Sequence, residues 1–294
     1  MNNKLTFRLL LRAIAKPLQN FSTLLMMQCL FLLCLTNISK ASEHGLEQPM
    51  LNAIQIVNAA KKVIFSEQRI INSPKPEGKD ILFGDLFIQQ IERRYKEIYD
   101  REIPYRQHPL TKELLYYLPL VNELNRALIF DSSVKFKGII AATYTSQLSH
   151  LLSLNQEAMH LKFTAPLHLL RNKLNSPDSW ERSVMKQFQT DNWARGKAYF
   201  EQDVDFQGRL AYRVMLPLNF SPTCLSCHGR PQDNPANSGL KKDQWTDIDV
   251  SGFTMEKMQT GDFAGAISFS TFEDSFILCQ EPSTLNDTNC KKNN

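Results

Sequence analysis

The sequence predicts an α+β protein: an antiparallel sheet with a helical N-terminal region packed against it. Three observations lead there. Between residues 47 and 154, apolar side chains recur at the three-and-four spacing of amphipathic helices. From residue 160 to 270 the period changes to strand-like alternation, with a Gln207-Gly208 turn between two of the runs. A length of 294 residues, 43% of them apolar, supplies a sizeable core in one or two domains.

The first 41 residues read as an export leader. Lys4, Arg8, Arg12 and Lys16 make a positive start, and no acid precedes Glu43. A mostly apolar run from Phe21 to Leu35 follows, then Ser39-Lys40-Ala41 with small residues at the −3 and −1 positions of a signal-peptidase site. Cleavage is expected between Ala41 and Ser42, and the compartment is expected to be the periplasm. The apolar run is shorter than the about 20 residues a membrane span requires, so no stable span is expected after cleavage. The leader holds five of the 34 basic residues and none of the 30 acidic ones. The exported chain therefore has 29 basic residues against 30 acidic, a net charge near −1. The basic pI of 8.6 belongs to the leader and does not argue for nucleic acid.

Helices are expected from Glu47 to about Asn72, from Gly84 to Tyr99, from Thr111 to Phe130 with an interruption at Pro119, and from Ile139 to Leu154. Lys61-Lys62 and Glu92-Arg93-Arg94 read as solvated helix faces. Strands are expected at His160–Ala165, Lys197–Asp203, Arg209–Leu218 and Phe263–Ser270. Asp178 is placed to cap a helix, with Glu181 three residues on as in a capping box. The connection from Gly229 to Gly261 is long enough to cover a ligand. Four segments result: 1–41 signal peptide, 42–154 helical, 155–274 the sheet domain, and 275–294 a tail.

The most informative stretch is Cys224-Leu225-Ser226-Cys227-His228. Cys-x-x-Cys-His is the spacing at which haem is attached in c-type cytochromes. Each thiol makes a thioether to one vinyl group, and the adjacent His becomes the proximal iron ligand. A structural zinc site would want a second Cys or His pair at ligand spacing, and none follows. A redox dithiol would be expected at a strand-to-helix turn of a βαβ unit, whereas this motif lies between Pro222 and a loop rich in Pro, Asn and Gly. Export supports haem attachment, since the thioethers form outside the cytoplasm. Cys279 and Cys290 are left over, and one disulfide closing a short tail loop is the parsimonious pairing in an oxidising compartment. Unpaired thiols or an intermolecular link are the alternatives.

Upstream of the motif stands Arg171-Asn172-x-x-Asn175-x-Pro177-Asp178-x-Trp180-Glu181, followed by a strand ending in Pro217-Leu218. Downstream come Gly252 and Gly261-Asp262-x-x-Gly265-Ala266-Ile267-Ser268. In this combination the chain resembles the family of bacterial single-haem c-type domains with a PAS-like fold, over about residues 155 to 272. The resemblance implies one haem c bound by Cys224 and Cys227, with His228 as proximal ligand. It implies a redox or diatomic-gas sensor (O2, NO or CO) acting through a separate redox or signalling protein, or a single-haem electron carrier. Some members are thought to use a distal Cys from the helical region. The exported chain has no Cys before Cys224, so only Cys279 or Cys290 could take that part.

The sixth coordination position decides between those roles. Candidates in order are His168 and His160, then Met255 and Met258, then His150, with His108 and Met159 behind them, and an open site as the remaining case. No distal His-Arg pair at recognisable spacing supports a peroxidase, and no enzymatic activity is expected.

Overall fold

The structure, a computed structural model, describes residues 45–155 and 159–272. The leader, its cleavage site, and Cys279 and Cys290 lie outside the described residues. Among the described residues, six helices precede the sheet: α1 (Glu47–Ser66), α2 (Gln68–Ile71), α3 (Gly84–Tyr99), α4 (Pro109–Leu124), α5 (Arg126–Phe130) and α6 (Ala141–Asn155). None is long and apolar enough to cross a membrane.

Each helix follows its apolar spacing. In α3, Phe87, Ile91 and Tyr95 recur every four residues and are fully buried. The Tyr95 hydroxyl donates to Asn52 Oδ1 at 3.0 Å, and Asn52 Nδ2 donates to the Pro104 carbonyl at 2.9 Å, which ties α1 to α3. The expected break at Pro119 does not occur; α4 runs through it to Leu124. Proline removes one ladder hydrogen bond, but Leu114, Leu118 and Val121 on the same helix are completely buried and hold it together. His108 caps α4, its Nδ1 accepting from the Leu110 amide at 3.3 Å.

Lys61 departs from the sequence reading. It is not on a solvated face: it is 8% exposed, while Lys62 beside it is exposed. Its position explains this, because Ile54, Val57, Lys61 and Ile64 follow one another at three- and four-residue intervals along the buried stripe of α1.

Four antiparallel strands make the sheet in the order β1-β4-β3-β2: β1 (Met159–Thr164), β2 (Tyr199–Phe206), β3 (Arg209–Asn219) and β4 (Phe263–Phe272). β2 runs three residues past the expected end. Asp203 adopts left-handed backbone (φ 57°) at a bulge, after which pairing with β3 resumes. Gly265 (φ 129°) sits where a Cβ would come within 2.2 Å of the Thr164 carbonyl, so only glycine lets β1 and β4 meet there.

Pairing sorts the strands into two faces. One carries His160, Ser270, Arg213 and Glu201 in a row, then Lys162, Ser268, Met215 and Tyr199. Helix α7 (Ser179–Phe188) covers this face, with Val184 and Met185 against Met215 and Ala266. The expected capping box is present: the Glu181 amide donates to Asp178 Oδ1 at 2.8 Å, and the Asp178 amide donates to Glu181 Oε2 at 2.9 Å. The other face carries Met159, Leu161, Phe269, Ile267, Val214 and Leu216, all buried. The Lys61 ammonium of α1 lies over Phe163 of this face, 5.8 Å from the ring centroid. The sheet thus has helices on both sides.

Candidate functional site

The motif begins where β3 ends. Pro222–Cys224 forms one 3₁₀ turn, and Leu225–His228 continues it as the single-turn helix α8. This turn brings Cys224, Cys227 and His228 into one cluster, with both thiols unpaired and half-buried. The Ser221 amide contacts Cys224 Sγ at 3.4 Å, which fixes the first thiol against the turn. Burial, with the Asp249 carboxylate nearby, pushes the Cys227 thiol above its ordinary pKa.

Gly229 follows His228, and a Cβ there would lie 2.6 Å from both the Leu225 carbonyl and Asp233 Oδ2. Its absence allows the chain to turn sharply. The following loop, 229–261, then folds back in short turns and a bridge between Ile248 and Thr254. Two of its amides return to the motif: Lys257 donates to the Gly229 carbonyl at 3.0 Å and Met258 to the His228 carbonyl at 2.8 Å.

That return delivers Glu256. Its Oε2 lies 2.8 Å from His228 Nδ1. Arg171 grips the same carboxylate twice, Nε to Oε1 at 2.8 Å and Nη2 to Oε2 at 3.0 Å. The guanidinium also donates to Asp249 Oδ2 at 2.5 Å and to the Cys227 carbonyl at 2.9 Å. One arginine therefore ties the motif backbone to two acids of the covering loop. Burial would raise the Glu256 pKa, but His228 and Arg171 outweigh it and hold the carboxyl at about 2. Phe220 packs its ring 5.1 Å from the imidazole. With Nδ1 engaged by a carboxylate, Nε2 is the ring nitrogen left to ligate a metal, as it is in metal-binding histidines whose other nitrogen meets a carboxylate.

The remaining candidates are dispersed. Met255 is buried, and both it and Met258 belong to the loop on the Nδ1 side of His228. His168 lies exposed in the 3₁₀ turn Leu167–Leu169, three residues before Arg171. His160 pairs with Ser270, which pairs with Arg213, six residues before the end of β3. At about 3.3 Å per residue, that is roughly 20 Å from the strand end leading to Cys224. His160 packs there against Phe206 and Phe272. It also lines a cavity of about 650 Å³ with His150, Lys162 and Arg213. Met159 is buried at the same end of β1. The structure does not bring His108, His150, Met159 or His160 to the motif. Among the described residues, no cluster of three or more His, Cys, Asp or Glu could hold a bare metal ion.

Glu256 and Asp249 were not singled out from the sequence, and Lys61 was read there only as part of a solvated face. The acids stand 21 or more positions beyond His228, in a loop with no periodicity to place them.

An antiparallel sheet under a helical region, with a Cys-x-x-Cys-His turn clasped by a returning loop, defines a small α+β domain with one prepared histidine. The chain belongs to the Tll0287-like family, whose model matches residues 47–271. Among solved structures it is similar to that of the cyanobacterial heme-protein Tll0287, at 17% identity and a TM-score of 0.32 over 46% of this chain and 72% of that one. No curated protein matches the sequence.

Proposed function

We propose that the protein carries one covalently attached haem c, in the periplasm, as a redox or diatomic-gas sensor module that acts through a separate protein. The observation that carries this reading is the Nδ1 contact of His228 with Glu256. It orients an imidazole for axial ligation directly beside two unpaired thiols at thioether spacing. The donor set fits haem: two soft sulfurs for the vinyl groups and one nitrogen for the iron. The family adds support, since it bears the name of Tll0287, itself described as a haem-protein.

A haem held here would supply one-electron chemistry, and diatomic binding where the sixth position is open. The residues of this chain supply the rest. Cys224 and Cys227 would hold the macrocycle, and His228 would ligate the iron. Glu256 accepts from Nδ1 and makes the imidazole a stronger donor, while Arg171 keeps that carboxylate ionised and in place. Electron transfer without sensing is the alternative role, favoured if a side chain fills the sixth position.

Reduced and oxidised spectra of the exported protein, with and without CO, test the proposal. Retention of haem through acid-acetone extraction is expected, and retention of both thioethers by a Cys227→Ser variant would contradict the attachment.

A further inference from the structure

The described residues bury three lysines: Lys61, Lys79 and Lys137. Two of them have acceptors. Lys79 Nζ donates to the Ser73 carbonyl at 2.7 Å and to the Ile129 carbonyl, and Lys137 Nζ to the Val134 carbonyl at 2.7 Å and to the Asp131 carbonyl. For Lys61 neither a carbonyl nor a carboxylate accepts among the described residues; its only close partner is the Phe163 ring. An ammonium carries three donors, and an aromatic ring accepts from none of them in the ordinary way, so the amine is left open to a further partner.

We propose that Lys61 is the sixth ligand of the haem iron, a reading that rests on haem attachment at Cys224, Cys227 and His228. Lys61 projects from α1 onto Phe163, which pairs with Ile267 and through it with Leu216, three residues before the end of β3 that leads to Cys224. It approaches from an element separate from the loop that holds Glu256, Met255 and Met258 on the Nδ1 side of His228. Burial lowers its pKa to about 8, only partly offset by Cys224, so the neutral amine lies close in energy at neutral pH. On ligation the ammonium gives its proton to solvent and the nitrogen donates its lone pair to iron, with no change of oxidation state. The lysine thereby supplies a nitrogen donor that His150 and His160, at the far end of the sheet, do not bring to the motif.

The test compares the exported, haem-loaded full chain with Lys61→Ala and Lys61→His variants, by visible absorption, electron paramagnetic resonance and CO titration at pH 7. Wild type is expected to be ferric low-spin. Lys61→Ala is expected to become largely high-spin and to bind CO about tenfold more tightly or better, because the competing ligand is gone. Lys61→His, which keeps a nitrogen donor, is expected to remain low-spin with altered signals, and serves if the alanine variant does not fold. Unchanged spin state and CO affinity in a variant that retains covalent haem would overturn the assignment, as would be seen if Lys61 only paired with a haem carboxylate. Absence of acid-acetone-resistant haem from the wild type is a different failure and removes the haem reading itself.

Discussion

Glu256 decides the electronic character of His228. A carboxylate at 2.8 Å from Nδ1, kept ionised by Arg171, favours the more positive oxidation state of any iron bound at Nε2. Glu256→Gln is therefore expected to raise the reduction potential, on the order of tens of millivolts, with the haem still attached. Spectroelectrochemical titration measures this, and a potential that fell or stayed fixed would show that the contact does not tune the site. Lys61 illustrates how far a single residue was legible. A Lys-Lys pair reads as surface, yet Lys61 sits in register with Ile54, Val57 and Ile64, and that register decided its burial. The periodicity contained the answer; residue type alone pointed the wrong way.

At the scale of elements, α7 is locked to the sheet through Arg213, which is 1% exposed. Its guanidinium donates to Asp178 Oδ2 at 2.7 Å and to Ser270 Oγ at 3.0 Å. It is packed between Trp180, 4.2 Å away, and Phe206, 4.8 Å away. Lys162 pairs with the buried Glu181 at 2.7 Å on the same face. The Asp178-x-Trp180-Glu181 element, conspicuous in the sequence, is thus a clamp rather than a ligand site. Arg213→Met leaves Glu181 and Asp178 short of a cation and is expected to cost about 3 kcal/mol in urea denaturation. Less than 1 kcal/mol would show the clamp to be dispensable.

The same contact sets a pH dependence. Burial would raise the Asp178 pKa, but Arg213 and the Glu181 amide outweigh it and hold the carboxyl below its ordinary 3.8. A depressed carboxylate contributes stability that is fully present above its unfolded pKa and is lost as pH falls through the folded one. Wild-type stability is expected to fall from about pH 4 downwards, and Asp178→Asn to flatten that decline while being less stable at pH 6. Parallel denaturation curves for the two proteins across this range would contradict it.

For the whole molecule, fold class was the most legible property, because it rests on two periods that local sequence displays: three-to-four residues before position 155 and alternation after 159. Pro119 misled, since the burial of Leu114, Leu118 and Val121 outweighs a broken hydrogen bond and only the packed structure reveals it. The motif was legible because its Cys and His residues stand within five consecutive positions. Its surroundings were not, because Arg171, Asp249 and Glu256 come from a turn after β1 and from the covering loop, and only folding assembles them. The family match over 47–271 takes in the helices together with the sheet.

Intact-mass spectrometry of the exported protein, before and after denaturing extraction, tests the central claim most directly. The predicted result is a chain heavier by one haem, the added mass residing on a proteolytic peptide that contains both Cys224 and Cys227. A haem-free mass with the two thiols free or joined as a disulfide would contradict it.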